Sequence, residues 1–263
     1  MQTVDKAMKV LSLFTTEKPE IGLSELSRMA KIDKAGTRRL LVALQKHAYI
    51  EQNLETKDYR LGFGFLHLAR VREATFPMES VIAPILLDLT AKTEETAHAS
   101  LACGVETNLM TIGVSPSTRS IRVHLQYDEA LPIHATASGI AYLSFSSKER
   151  FDELISPKMD RFTPDTLCSV EAIKAEVDVA FQRGYAVSNQ TLEEGAYGVA
   201  VPFFDALSIP CGAVSIASPS SRMNPQREIA FANYVVEASL AITKAIGGKP
   251  SSEFLARNEQ RIK

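Results

Sequence analysis

The sequence predicts an α+β protein in two parts: an N-terminal winged helix-turn-helix, then, after a helical linker, a larger C-terminal domain in which helices cover a mostly antiparallel sheet. Three observations carry that expectation. Over the first seventy residues, apolar positions recur at helical spacing in short runs that end in a hairpin pattern. Beyond residue 78, short alternating runs are interleaved with long amphipathic ones. Charge divides the same way: residues 1–70 carry twelve Lys and Arg against eight Asp and Glu, net +4, and the remainder seventeen against twenty-three, net −6.

Taking the elements in order, Val4, Ala7, Met8, Leu11 and Phe14 form one stripe with lysines opposite, which predicts an amphipathic helix over 4–14. Pro19 and Gly22 punctuate a loop. Ser24 stands as an N-cap ahead of ELSRMAK, a short second helix, and Asp33 as the cap of a third, KAGTRRLLVALQKHA, running to about Ala48. Two short helices with a tight connection match a helix-turn-helix. YIEQ and YRLG bracket Asn53 to Lys57, strand formers around a polar tip, so a hairpin wing follows. Phe65, Leu68, Ala69 and Arg72 recur at helical spacing with no Gly or Ser linker, which predicts a stiff connector. Its apolar positions would be bare on a rod, and the same helix of a second subunit would cover them; packing within the monomer is the alternative.

In the larger domain VIAPILLDLTAK, ASGIAYLSF, SVEAIKAEVDVAFQRG and NPQREIAFANYVVEASLAITKAIGG read as helices. TAHASLA, NLMTIGV, SIRVHLQY, AVSNQ, YGVAVPFFD and CGAVSIAS read as strands. The expected boundaries are 1–64 for the winged helix-turn-helix, 65–77 for the linker helix, 78–248 for the larger domain and 249–263 for a polar, frayed tail.

An apolar share of 45% and a charged share of 23% over 263 residues exclude wholesale disorder. No run of about 18 apolar residues occurs, and the start MQTVDKAMKV does not read as a signal peptide. A soluble cytoplasmic protein with no membrane partner is expected. Cys103, Cys168 and Cys211 are odd in number and lack any CxxC pair, which predicts reduced thiols and no zinc site.

The third helix carries the sharpest functional signal. At 100° per residue Thr37, Leu40, Leu41, Leu44 and Ala48 share one sector, and Ala35, Arg38, Arg39, Val42 and Lys46 lie opposite. Lys34, Arg38, Arg39 and Lys46 have no acid within the helix after Asp33, whereas solvated faces ordinarily mix signs. Such a face suits the major groove of DNA: arginine forks reach guanine edges, and a small Ala35 or Gly36 permits close approach. Lys34, Thr37, Arg38 and Arg39 are the expected reading and gripping residues, with Lys57 and Arg60 of the wing on phosphates or the minor groove. Ser24 would offer backbone N–H groups to a phosphate. A net charge of −2 over the whole chain argues against a general architectural DNA binder.

The stretch LSELSRMAKIDKAGTRRLLVALQKHAYIEQ with the following YRLG resembles the winged helix-turn-helix of the IclR family of bacterial transcriptional regulators. LPIHATASGIAYL, GYAVSNQTLEEGAYGVAVPFFD and AVSIASPSSRM resemble motifs of that family's effector domain, in the same order along the chain. The resemblance implies a GAF-like second domain. It also implies a homodimer, or a dimer of dimers, that binds a palindromic operator and responds to a small organic molecule, more often as repressor than as activator.

Residue by residue, the resemblance places an effector lining on Ser120, Val123, Leu131 and Ala196, and its polar end on Ala137, Ser138, Ser188, Gly198, Ser215 and Ala217. Free N–H groups at the start of the ASGIAYL helix would hold a carboxylate. Ser188, Gly198 and Ala217 replace residues that are commonly larger or more polar in the family, which implies a roomier, less polar pocket. A larger acid, lactone, amide or aromatic compound is expected, and genes for its catabolism as the target. Glu193 matches an acidic family position with a structural or gating role.

No G-x-S-x-G, H-E-x-x-H or P-loop occurs, and Gly62-Phe63-Gly64 lacks the third glycine of a dinucleotide site, so no catalytic residue, cofactor or metal is expected. His134 near Ser138 reads as a structural histidine followed by a capping serine. The competing reading is a small-molecule sensor or enzyme whose basic N-terminus docks on a protein.

Overall fold

Asp33 caps its helix as its residue type dictates: the carboxylate accepts from the Gly36 N–H at 2.8 Å. The computed structural model describes residues 2–15, 18–75, 78–102, 108–156 and 158–262. They fall in two units, Met1–Pro77 and Met78–Lys263.

The first unit contains α1 (Gln2–Leu11), α2 (Leu23–Ala30), α3 (Lys34–Lys46), the hairpin β1 (Ile50–Gln52) and β2 (Tyr59–Leu61), and α4 (Gly64–Thr75). Its core gathers Val10, Phe14, Ile21, Leu26, Leu41, Ile50 and Tyr59. The helix α1 stops at Leu11, short of the expected 14: Val10 is its buried residue and Phe14 reaches the core from the turn after it, while the stripe expected from periodicity is turned outward at Val4 and Met8, 66% and 59% exposed. Gly22, not Ser24, is the N-cap of α2. The turn into α3 is closed by Lys31 in the left-handed region and by Ser27 Oγ donating to the Ile32 carbonyl at 2.6 Å. The third helix ends at Lys46, because the chain must turn through Ala48, at φ 60°, to enter β1.

The second unit is built on a six-stranded antiparallel sheet in the order β5-β4-β3-β8-β7-β6. Its strands are β3 (Thr96–Ala102), β4 (Asn108–Ser115), β5 (Ala130–Pro132), β6 (Ala186–Asn189), β7 (Ala196–Phe204) and β8 (Pro210–Pro219). Its helices are α5 (Met78–Thr93), α6 (Ala137–Ser144), α7 (Lys148–Leu154), α8 (Val170–Arg183), α9 (Pro225–Ala245), α10 (Ser252–Arg257) and α11 (Glu259–Ile262). Alternation along the strands separates two cores. Ala97, Ala99, Val199, Val201, Val214 and Ile216 pack with α5 and α9 on one face. Ala186, Ala200 and Ala213 pack with α6 and α8 on the other. Small residues on that second face bring α6 close, and Gly139 is required there: a Cβ would lie 2.0 Å from the Ile133 carbonyl oxygen.

SIRVHLQY is not a strand. Its carbonyls are held instead by side chains, Val123 O by Thr96 Oγ1 at 2.9 Å and Ile121 O by Arg222 at 3.0 Å, and β5 takes the sheet edge. Arg222 in turn grips Glu95, a fully buried carboxylate shared with Arg227. The tail is likewise ordered rather than frayed. Phe254 of α10 is buried against Phe145 and Phe204 at 5.4 and 5.2 Å, and the buried Asn258 donates to Gly184 O at 3.0 Å. Among the described residues no helix is long and apolar enough to cross a membrane, and no group of three or more His, Cys, Asp or Glu is placed to hold a metal ion. Cys168 and Cys211 are free thiols, with burial pushing Cys211 up to about 12; Cys103 lies outside the described residues.

Candidate DNA-binding face and effector cavity

On α3, Lys34, Ala35, Arg38, Arg39, Val42 and Lys46 are all exposed, and among the described residues none of these four bases is ion-paired. Thr37 is the exception among the expected readers. It is fully buried, and its hydroxyl donates to Asp33 O at 3.1 Å, because the periodicity that turns Leu41 inward turns Thr37 with it. Gly36 serves the cap rather than close approach, since a Cβ there would stand 2.8 Å from the Asp33 carboxylate.

In the wing, Lys57 is exposed at the tip, at φ 65°, with its carbonyl held by Gln52 at 2.8 Å. Arg60 is differently placed. Cross-strand pairing sets it opposite Glu51, and its guanidinium lies 3.3 Å from Glu51 and 3.4 Å from Glu20, so it is already neutralised within the unit. Ser24 is exposed in the first turn of α2 and, with Lys34, Arg38 and Lys57, lines a shallow cleft between helix-turn-helix and wing.

In the second unit the effector residues expected from the resemblance converge. All but Ser120 line one cavity. Its floor is the sheet: Ser188 on β6 pairs with Gly198 on β7, and Gly198 with Ala217 on β8. Its end wall is the start of α6, where Thr136, not Ser138, is the N-cap, accepting from Gly139 N at 3.1 Å. Ala137 and Ser138 therefore present first-turn N–H groups with no backbone acceptor among the described residues. The loop 190–195 closes one side and is moored by Thr191 Oγ1, which donates to Ala135 O at 2.6 Å.

One expectation needs correction. Gly198 creates no spare room, since a Cβ there would stand 2.7 Å from Ser188 Oγ and 3.0 Å from Ala137 Cβ; the glycine lets β6 and α6 meet. Apolar surface predominates in the lining, with His98, His124, Glu129, Thr136, Thr191, Glu193 and Tyr197 also reaching it. Of these, only Glu193 was singled out from sequence. A signal for His98 was present: Thr96, His98 and Ser100 alternate along one strand, a polar face on a strand with no reason to be wet.

His134 bonds Asp160 O at 3.0 Å, away from Ser138, whose hydroxyl lies instead 3.2 Å from His98 Nε2. His98 is buried, and desolvation pushes its imidazole down to about 4. Arg119 pairs with Glu94, and Arg122 donates to Arg119 O; neither lines the cavity. Tyr197 lines it and hydrogen-bonds Glu228 of α9, which with burial raises its phenol.

Comparison with known proteins places these features. The profile described as Bacterial transcriptional regulator IclR C-terminal matches residues 74–244, and that described as IclR helix-turn-helix domain matches residues 3–54. The transcriptional repressor IclR of Escherichia coli K12 is 25% identical over 94% of this chain and 91% of its own length. The crystal structure of an IclR transcriptional regulator from Silicibacter sp. is 34% identical, with a TM-score of 0.87 over 96% of this chain and 99% of that one. An IclR homolog from Microbacterium hydrocarbonoxydans, solved in complex with 4-hydroxybenzoate, shares the fold at a TM-score of 0.67 and 19% identity, over 93% of this chain and 98% of that one.

Proposed function

Because the chain belongs to the IclR family of bacterial transcriptional regulators, which are not enzymes, we propose that it is a ligand-responsive repressor: a DNA-binding protein whose second unit binds a small organic acid and thereby controls genes for its breakdown. The observation that carries the reading is the cavity itself, where residues scattered from Val123 to Ala217 meet at the start of α6. Unpaired N–H groups and the positive end of the helix dipole favour a carboxylate there. The Microbacterium homolog, solved with 4-hydroxybenzoate, supports a small organic acid as the ligand.

On the DNA side, Lys34, Ala35, Arg38 and Arg39 enter the major groove, while Lys57 and the first turn of α2 at Ser24 contact phosphates. Arg60 contributes only by leaving its two carboxylates, and Thr37 acts by holding α3 in place. The protein acts as a homodimer on a palindromic site. Leu66 and Leu68 of α4 are half exposed within their unit, while Phe65 packs 5.1 Å from Tyr49, and the same helix of a second copy covers them.

Fluorescence anisotropy tests the whole reading. The protein is titrated onto labelled duplex from its own upstream region and onto a scrambled duplex at the same salt, with and without a panel of small carboxylic acids and lactones. Sequence-dependent binding that one acid weakens is expected; binding indifferent to sequence at every salt overturns the regulator, and indifference to every acid overturns the effector.

A further inference from the structure

His98 belongs to no part of the site expected from sequence, yet it stands in the cavity's floor. On β3 it pairs directly with Ser215 of β8, a cavity residue, and it is 5% exposed. Its side chain makes one hydrogen bond among the described residues, between Nε2 and Ser138 Oγ; Nδ1 is buried with no partner among them. Histidine carries two unlike nitrogens, and the neutral ring bears a single proton. A buried donor left without an acceptor is rarer and costlier than an acceptor left without a donor. The proton therefore belongs on Nε2, where a partner exists.

That placement decides what Ser138 can do. With Nε2–H donating to it, one of the serine oxygen's two lone pairs is filled and its own O–H is released. The opposite tautomer would take that O–H into Nε2 and leave only lone pairs facing the cavity. Ser138 sits in the first turn of α6 beside the free N–H groups, so the released hydroxyl adds a donor where two others already converge. Three converging donors suit a carboxylate, both of whose oxygens accept, better than an amide, whose N–H groups find few lone pairs at this end of the cavity.

We propose that His98 is the residue that determines specificity in this pocket, acting through Ser138: its Nε2–H fixes the serine hydroxyl as a donor to an effector carboxylate at the start of α6, so that the site favours a carboxylic acid over its isosteric primary amide. The proposal rests on the effector reading above. It narrows the ligand from acids, amides and lactones to carboxylates. His98 is a positioning residue, reaching the ligand through the hydroxyl it orients.

The first arm of the test needs no ligand. In the full-length protein with ¹⁵N-labelled histidine, two-bond nitrogen–proton correlation reports the tautomer, and the His98 signals are assigned by their loss in His98→Gln. A neutral ring protonated on Nε2 at pH 7 is expected. A ring protonated on Nδ1, or an imidazolium at that pH, overturns the proposal whatever the protein binds.

The second arm measures binding by calorimetry for a panel of aliphatic and aromatic monocarboxylates, benzoate and 4-hydroxybenzoate included, each paired with its primary amide. Wild type is expected to prefer the acid, and Ser138→Ala and His98→Leu to lose roughly tenfold to a hundredfold of that preference. His98→Gln, which keeps a donor near the position of Nε2, is expected to retain most of it. Equal preference in His98→Leu and wild type overturns the positioning role. If His98→Leu fails to fold, Ser138→Ala and His98→Gln decide the matter between them. No binding of any acid or amide to wild type overturns the effector reading instead, and the tautomer is still read by the first arm.

Discussion

Arg38→Ala and Arg60→Ala distinguish a reading face from mere basic composition. Both side chains reach solvent, but Arg38 has no acidic partner among the described residues, whereas Arg60 is held between Glu51 and Glu20. Lys34, Arg39, Lys46 and Lys57 share the condition of Arg38, exposed and without an ion pair among the described residues. If each of the five displaces a counterion from one phosphate, log K falls with log salt at a slope of about −4.5 per protomer.

Arg38→Ala is then expected to make that slope shallower by about 0.9 and, where the fork reads a base, to cost about 1–3 kcal/mol on the operator with a smaller loss on scrambled duplex. Arg60 must give up two partners to reach a phosphate, and exposed pairs of this kind are worth only about 0–1 kcal/mol. Its removal is expected to leave slope and affinity nearly unchanged. Anisotropy titrations of wild type and both variants on the two duplexes across a salt series measure each quantity. Equal losses for the two variants, or a wild-type slope shallower than about −2, would refute the assignment of α3 as the reading helix.

Thr37→Val is expected to leave operator affinity within about twofold while lowering stability by about 1 kcal/mol, the net worth of one hydrogen bond; an operator-specific loss in anisotropy would put the hydroxyl on DNA after all. Ser138→Trp and Ser215→Trp fill the cavity, so each is expected to bind operator and ignore every acid that shifts wild type, and a retained response in both would move the effector elsewhere. Phe254→Ala removes a fully buried ring and is expected to cost about 3–5 kcal/mol in urea unfolding followed by circular dichroism; a loss below about 1 kcal/mol would mean the tail is dispensable. His98 carries a pH signature: its folded-state pKa is depressed from 6.5 to about 4, so the unfolded chain takes up the proton first. Its contribution is complete above about pH 6.5 and is lost as the pH falls toward about 4, by at most about 3 kcal/mol; the same decline in His98→Gln would assign it to other groups.

What the sequence reveals and what it hides divide along one physical line. The outward face of α3 is readable because helical periodicity is local: Arg38, Arg39, Val42 and Lys46 are placed by spacing alone. The same spacing puts Thr37 inside, and only its position in a helix-turn-helix suggested DNA. Asp33, Ser169 and Asn224 cap their helices, each accepting from an N–H three residues on. Ser138 fails as a cap because Thr136, equally suited and two residues earlier, takes the Gly139 N–H first.

The errors concern partners remote in sequence. SIRVHLQY alternates like a strand, but the sheet edge it would need is occupied by β5, and Thr96 and Arg222 hold it by its carbonyls. Arg60 looks free until the fold brings Glu20 beside it. Phe254, one aromatic in a polar tail, has no local period to announce that it completes a cluster with Phe145 and Phe204. His98 follows the same rule at the site itself. Its strand shows an unexplained polar face, yet the meaning of that face depends on Ser138, forty residues away. Periodicity says which way a side chain points; what it meets there is a property of the closed chain. For this pocket the second fact decides whether the Ser138 hydroxyl donates to the cavity or turns its proton to His98, and so how many donors meet at the start of α6.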